Sequence, residues 1–159
     1  MRLLTILCLV FLVSCSQEVP TEVTPQPLEV VTGPFLVRDG VTYDQNTNEP
    51  LTGIVEEFYE DGQLEQRTTY RDGKPEGLHE WFHRNGQLWE RGNYIDGVEN
   101  GLYERYYRNG QVSSRTNYTD GVLDGPIEGF HENGQLRMRG TYIDGKGEGL
   151  WSFFDEDGN

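Results

Sequence analysis

Two of the three histidines in this 159-residue chain stand at a spacing associated with metal chemistry. His79-Glu80-Trp81-Phe82-His83 reads HExxH, the pattern by which a helix turns two imidazoles toward one zinc ion and holds a glutamate beside it as general base. The chemistry depends on the helix, because only there do residues four apart share a face at short range. In a strand the same four residues span roughly 13 Å, too wide for two nitrogens that must each lie about 2 Å from one metal. The element that carries the motif therefore decides whether it is a site.

The surrounding sequence points to strands. Gly53, Gly77, Gly101, Gly125 and Gly149 recur every 24 residues, and the chain between them repeats in register. Counting from each glycine, an aromatic stands at offset 5 (Phe58, Phe82, Tyr106, Phe130, Phe154). An Asn-Gly or Asp-Gly pair follows at offsets 8 and 9, an arginine at 14, a tyrosine at 17, and a second Asp-Gly at 19 and 20. No stretch longer than ten residues from Gly53 onward lacks glycine, so a helix would have to absorb residues that cost about 1 kcal/mol each. Asn-Gly and Asp-Gly are hairpin signals. In this frame His83 fills a slot, offset 6, that Tyr59, Tyr107 and His131 also fill, and His131 would lie about four strands, or 19 Å, away. We expect no metal, no cofactor and no catalytic residue here.

A two-residue turn at offsets 8 and 9 pairs offsets that sum to 17. Glu56 then faces Arg67, Glu80 faces Arg91, Glu104 faces Arg115 and Glu128 faces Arg139, four charge-matched cross-strand pairs. An even connection at the second turn sets each arginine between two glutamates and ends the row at Ser152. The same rule places each periodic glycine opposite a tyrosine (Tyr70, Tyr94, Tyr118, Tyr142) whose ring can cover bare backbone on both sides. It also pairs Tyr59 with Leu64, His83 with Leu88, Tyr107 with Val112 and His131 with Leu136. The expected fold is all-β: a single-layer antiparallel meander of about eleven strands. It comprises repeats 53–76, 77–100, 101–124, 125–148 and a partial 149–159, capped by an irregular hairpin over 35–52.

Upstream, Met1-Arg2 precedes an apolar run from Leu3 to Val13, too short to span a bilayer but suited to a signal-peptide core over 1–14. Leu12-Val13-Ser14-Cys15 resembles a bacterial lipobox, which implies acylation of Cys15 and loss of Cys8, leaving no cysteine pair for a disulfide. Residues 15–34 hold four of the seven prolines and no aromatic residue, as expected of a flexible tether. The net charge of −14 disfavours nucleic acid and electrostatic docking on anionic headgroups, so the lipid would do the anchoring. The expected location is the cell envelope, at the outer membrane in a Gram-negative cell.

The segment GLHEWFHRNGQLWERGNYIDGVENG (77 to 101) and its neighbours resemble the MORN-repeat variant of bacterial chains. Many of these are grouped as YwqK-like and labelled antitoxin components of toxin-antitoxin systems. The resemblance covers about two thirds of the chain and implies a β-hairpin array that associates with protein or membrane. Three functions follow as expectations: a lipid-anchored scaffold for an unidentified protein partner, a cell-wall glycan-binding surface, or an antitoxin or immunity-like protein. Where the repeat departs from its own pattern, Trp81, Trp89, Tyr107, Trp151 and Phe153 form the candidate binding surface.

Overall fold

The computed structural model describes residues 27–159, so the apolar leader and Cys15 lie outside the described residues. Thirteen strands and no helix make up that region. They are β1 (Val30–Val31), β2 (Phe35–Arg38), β3 (Val41–Asp44), β4 (Gly53–Phe58), β5 (Leu64–Arg71), β6 (Lys74–Phe82) and β7 (Leu88–Ile95). Then come β8 (Val98–Tyr106), β9 (Val112–Thr119), β10 (Val122–Leu123), β11 (Gly125–Phe130), β12 (Leu136–Ile143) and β13 (Lys146–Phe153). The order β1-β4-β5-β6-β7-β8-β9-β11-β12-β13, with β10 beside β9, gives one eleven-stranded sheet. All its neighbours are antiparallel except β1 and β4.

The two Asp-Gly and Asn-Gly positions do different jobs. At offsets 19 and 20 both residues have positive φ: Asp72 and Gly73 at 49° and 80°, Asp96 and Gly97 at 52° and 86°. This is the type I′ signature, and Arg71 pairs directly with Lys74 across a two-residue turn. At offsets 8 and 9 only the glycine is left-handed. Gly62 N–H donates to the Tyr59 carbonyl and Tyr59 N–H to the Gln63 carbonyl, both at 2.8 Å, which closes a three-residue loop with a glycine bulge. The two-residue loop expected there is therefore corrected.

That correction changes some pairs and leaves others intact. Leu64, Leu88, Val112 and Leu136 face Phe58, Phe82, Tyr106 and Phe130, not Tyr59, His83, Tyr107 and His131. A one-residue bulge follows immediately, so Glu57 meets Gln66 and Glu56 meets Arg67. The odd loop and the bulge cancel. All four glutamate-arginine pairs stand in the expected register, and Arg139 faces Ser152 at the end of the row.

The periodic glycine also has a different role from the one expected. Gly53, Gly77 and Gly101 face Tyr70, Tyr94 and Tyr118 within their repeats. Across the type I′ turn, however, Tyr70 pairs with Pro75 and Tyr94 with Glu99, because the strand bulges by two residues at the glycine. Gly77 and Gly101 sit in that bulge at φ of 91° and 83°. A Cβ at Gly101 would meet nothing within 4 Å, so backbone conformation, not ring cover, selects glycine there.

Both flanks of the first repeat are covered. The hairpin β2-β3 forms, but as a separate two-stranded sheet. Thr42 N–H donates to the Gly73 carbonyl, and Gly73 N–H donates to Leu51, each at 2.8 Å. Val30 and Val31 pair in parallel with Ile54 and Val55, so ordered pairing begins inside the span assigned to the tether. With one layer there is little interior: Leu51, Val55 and Tyr103 are the buried apolar residues of the described chain.

Candidate functional site

One face of the sheet carries the charge ladder. Glu56, Arg67, Glu80, Arg91, Glu104, Arg115, Glu128 and Arg139 stand directly opposite one another from β4 to β12. Contact between them is uneven. Arg67 reaches Glu56 at 2.7 Å and Glu80 at 3.4 Å, and Arg115 reaches Glu104 at 3.0 Å and Glu128 at 3.6 Å. Glu104 also accepts from Arg91 and, at 2.9 Å, from the Tyr106 hydroxyl. Burial opposes ionisation of Glu104, yet the hydrogen bonds from Arg115, Arg91 and Tyr106 together hold its carboxyl below the usual carboxylate range. Among the described residues no ion pair within 4 Å joins Glu80 to Arg91 or Glu128 to Arg139. Arg91, Arg115 and Arg139 also lie 5.4–5.9 Å from the ring centres of Tyr106, Phe130 and Phe154.

The opposite face carries rings. Trp89, Trp81, His79, Tyr94, Tyr103 and Tyr118 form a continuous chain with centroids 5.0–6.3 Å apart, each edge-to-face with the next. Tyr103 lies where a side chain on Gly92 would be, and Trp151 lies over Gly140 in the same way. Small residues on one strand thus seat large ones on the next. Arg105 closes on Glu90 beside this row.

HEWFH divides between these surfaces. Glu80 belongs to the ladder, and the rings run His79, Trp81, Trp89, His83, so two indoles separate the imidazoles. His79 is buried, with Nδ1 2.8 Å from Thr68 Oγ1, and burial pushes its imidazole below its ordinary value. His83 Nε2 lies 3.2 Å from the Tyr106 carbonyl. Among the described residues no group of three or more His, Cys, Asp or Glu side chains is placed to hold a metal ion.

The His83 contact reveals a device that the sequence reading missed. At offset 6, the Tyr59 and Tyr107 hydroxyls donate at 2.7 Å to the Phe82 and Phe130 carbonyls, while His83 and His131 reach the Tyr106 and Phe154 carbonyls. A carbonyl only accepts, so both imidazoles carry the proton on Nε2. Two positions on, Asn85, Asn109 and Asn133 donate to the Arg108, Glu132 and Glu156 carbonyls of the following repeat. The second, third and fourth repeats are each stapled to the next by two side-chain donors, whereas in the first Tyr59 donates alone and Asp61 pairs with Arg84 at 3.5 Å. Strict alternation of Tyr and His, two ring residues with a terminal donor, was the available signal.

The candidate binding residues occupy different environments. Trp81 and Trp89 meet edge to face, and Trp89 is the more open. Tyr107 lies apart on the loop rim, with its hydroxyl committed to the staple. Trp151 and Phe153 share the last strand, where Phe153 is 70% exposed and neighbouring Leu150 is 95% exposed.

An uninterrupted run of stapled β-hairpins with a cap on one flank defines an open repeat scaffold. Its motif matches the MORN repeat variant model four times, at residues 51–72, 75–96, 99–120 and 123–144, and the chain belongs to that family. No curated protein matches. Among solved structures, one similar chain is from a crystal structure of an S. aureus TarM mutant in complex with Fondaparinux, alpha-GlcNAc-glycerol and UDP. It is 12% identical, with a TM-score of 0.38, over 71% of this chain and 20% of that one. This chain spans about a fifth of that protein's length.

Proposed function

We propose that this chain is a non-enzymatic envelope scaffold, tethered by lipid on Cys15, whose repeat sheet holds a partner protein. The carrying observation is that the described residues consist of the stapled MORN sheet and its cap, with side chains engaged in ladders and staples rather than gathered in a cleft. The last strand around Trp151 and Phe153 is the favoured contact, since Leu150 and Phe153 stand exposed beside an edge that is unpaired among the described residues. Lipidation rests on the Leu12-Val13-Ser14-Cys15 motif. Cys15→Ser is expected to shift the protein from the membrane to the soluble fraction. Equal partitioning of wild type and variant would refute anchoring. A pull-down from envelope extract that loses its captured protein on Phe153→Ser would support the strand as the contact. An unchanged capture would place the contact elsewhere.

A further inference from the structure

The ladder face is its own complement. Its eight charges alternate without a break, beginning with Glu56 at one end and finishing with Arg139 at the other. An even-numbered alternating row read backwards presents the opposite sign at every position. A two-fold axis parallel to the strands, passing between β7 and β8, reverses the row while keeping its height along the strands. Arg91 then faces the partner's Glu104, Glu80 faces the partner's Arg115, Arg67 faces the partner's Glu128 and Glu56 faces the partner's Arg139. An axis across the strands would set glutamate on glutamate, so the charges select one arrangement.

We propose that this face joins a second copy of the chain in an isologous dimer. Three further observations favour it. The arginine side chains of the row lie open, 41–51% exposed at Arg67, Arg91 and Arg115, while Glu104 beneath them is 9% exposed, so the row offers cationic groups still accessible to a further carboxylate. Arg139 stands opposite Glu128 without an ion pair, and the arrangement supplies it with the partner's Glu56. Leu78 and Leu102 flank the ladder on its own face, each nearly half exposed and two residues from a ladder glutamate, and the same axis covers them with the partner's Asn117 and the partner's Asn93. The row is about 34 Å long and, with its flanks, about 20 Å wide, roughly 700 Å² per copy, close to the ~800 Å² per partner of a standard specific interface. Two sheets packed face to face at about 10 Å bring opposed charged tips within reach. The dimer does not depend on the envelope reading, and either can fail alone.

The test is the mass of the full chain by light scattering in a non-ionic detergent that takes up residues 3–13. Wild type is expected at twice the monomer mass. Arg91→Glu and Glu104→Arg, each checked for β-structure by circular dichroism, are expected as monomers, because each sets like charges across the axis. Mixed one to one they are expected to recover the dimer mass, since the two introduced charges then meet each other in one contact and the native Glu104 and Arg91 meet in the other. If a reversal does not fold, Arg91→Gln is the second variant, expected to weaken dimerisation roughly tenfold because the axis doubles the lost pair. A monomeric wild type, a reversal that stays dimeric, a mixture that stays monomeric, or an unchanged Arg91→Gln dimer would each overturn the proposal.

Discussion

At the scale of single residues, the two histidines of HEWFH illustrate opposite uses of one side chain. His83 serves as a donor to a backbone carbonyl, a task tyrosine performs in alternate repeats. His83→Tyr is therefore expected to leave urea stability nearly unchanged, whereas His83→Phe, which keeps a ring but loses the donor, should cost about 1 kcal/mol. His79 is buried instead. Burial depresses its imidazole from the ordinary 6.5, against the pull of Glu90 and Glu80. Below about 6.5 the unfolded chain takes up a proton that the folded chain refuses, so this contribution is full above that value and is lost as pH falls through the folded one. Urea midpoints measured at descending pH should drop for wild type, and the part of that drop beginning near 6.5 should vanish in His79→Val. An equal drop in the variant would assign it to other groups.

At the scale of elements, the strand glycines fall into two physical classes that sequence alone does not separate. Gly101 needs a left-handed backbone and has open space around its missing side chain, whereas Gly92 has an ordinary backbone and no space because the Tyr103 ring lies against it. Gly101→Ala is expected to cost about 1–2 kcal/mol through backbone strain, with no rescue from trimming neighbours. Gly92→Ala should cost about 1–3 kcal/mol through overpacking. Adding Tyr103→Val should recover part of the second loss and none of the first, as thermal melts of the four variants would reveal. The register carries a related lesson. Charge pairing at the ladder was legible from the sequence, because an odd loop and a one-residue bulge cancel before Glu56 meets Arg67. The pairs nearer the loop were not legible, because nothing in Asp-Gly or Asn-Gly states whether one or both residues will turn left-handed.

At the scale of the whole molecule, stability is distributed along one dimension. Among the described residues each repeat touches its neighbours through strand ladders and side-chain staples, and there is little shared interior to lose. Deleting residues 77–100, one full period, should preserve the β-sheet spectrum while lowering the melting temperature, because Glu76 then joins Gly101 with every offset kept in phase. Deleting 77–99 shifts each following side chain by one position and should abolish cooperative melting. The last unit breaks the staple pattern, since Asp155 and Asp157 occupy the donor slots and a carboxylate has no hydrogen to give. Asp155 accepts from the backbone of Asp157 and Asn159 instead.

The sequence by itself determined the period, the strand content, the order of the hairpins and the alternation of charge along the ladder. All of these follow from local turn chemistry and the two-residue repeat of a strand. Only the tertiary structure decided the two-residue bulges at Gly77 and Gly101, the staples between repeats, the parallel strand at Val30–Val31 and the edge-to-face chain of rings. The physical reason is distance along the chain. A staple joins residues 23 apart through atoms whose separation depends on every turn and bulge between them, and no local propensity encodes that sum.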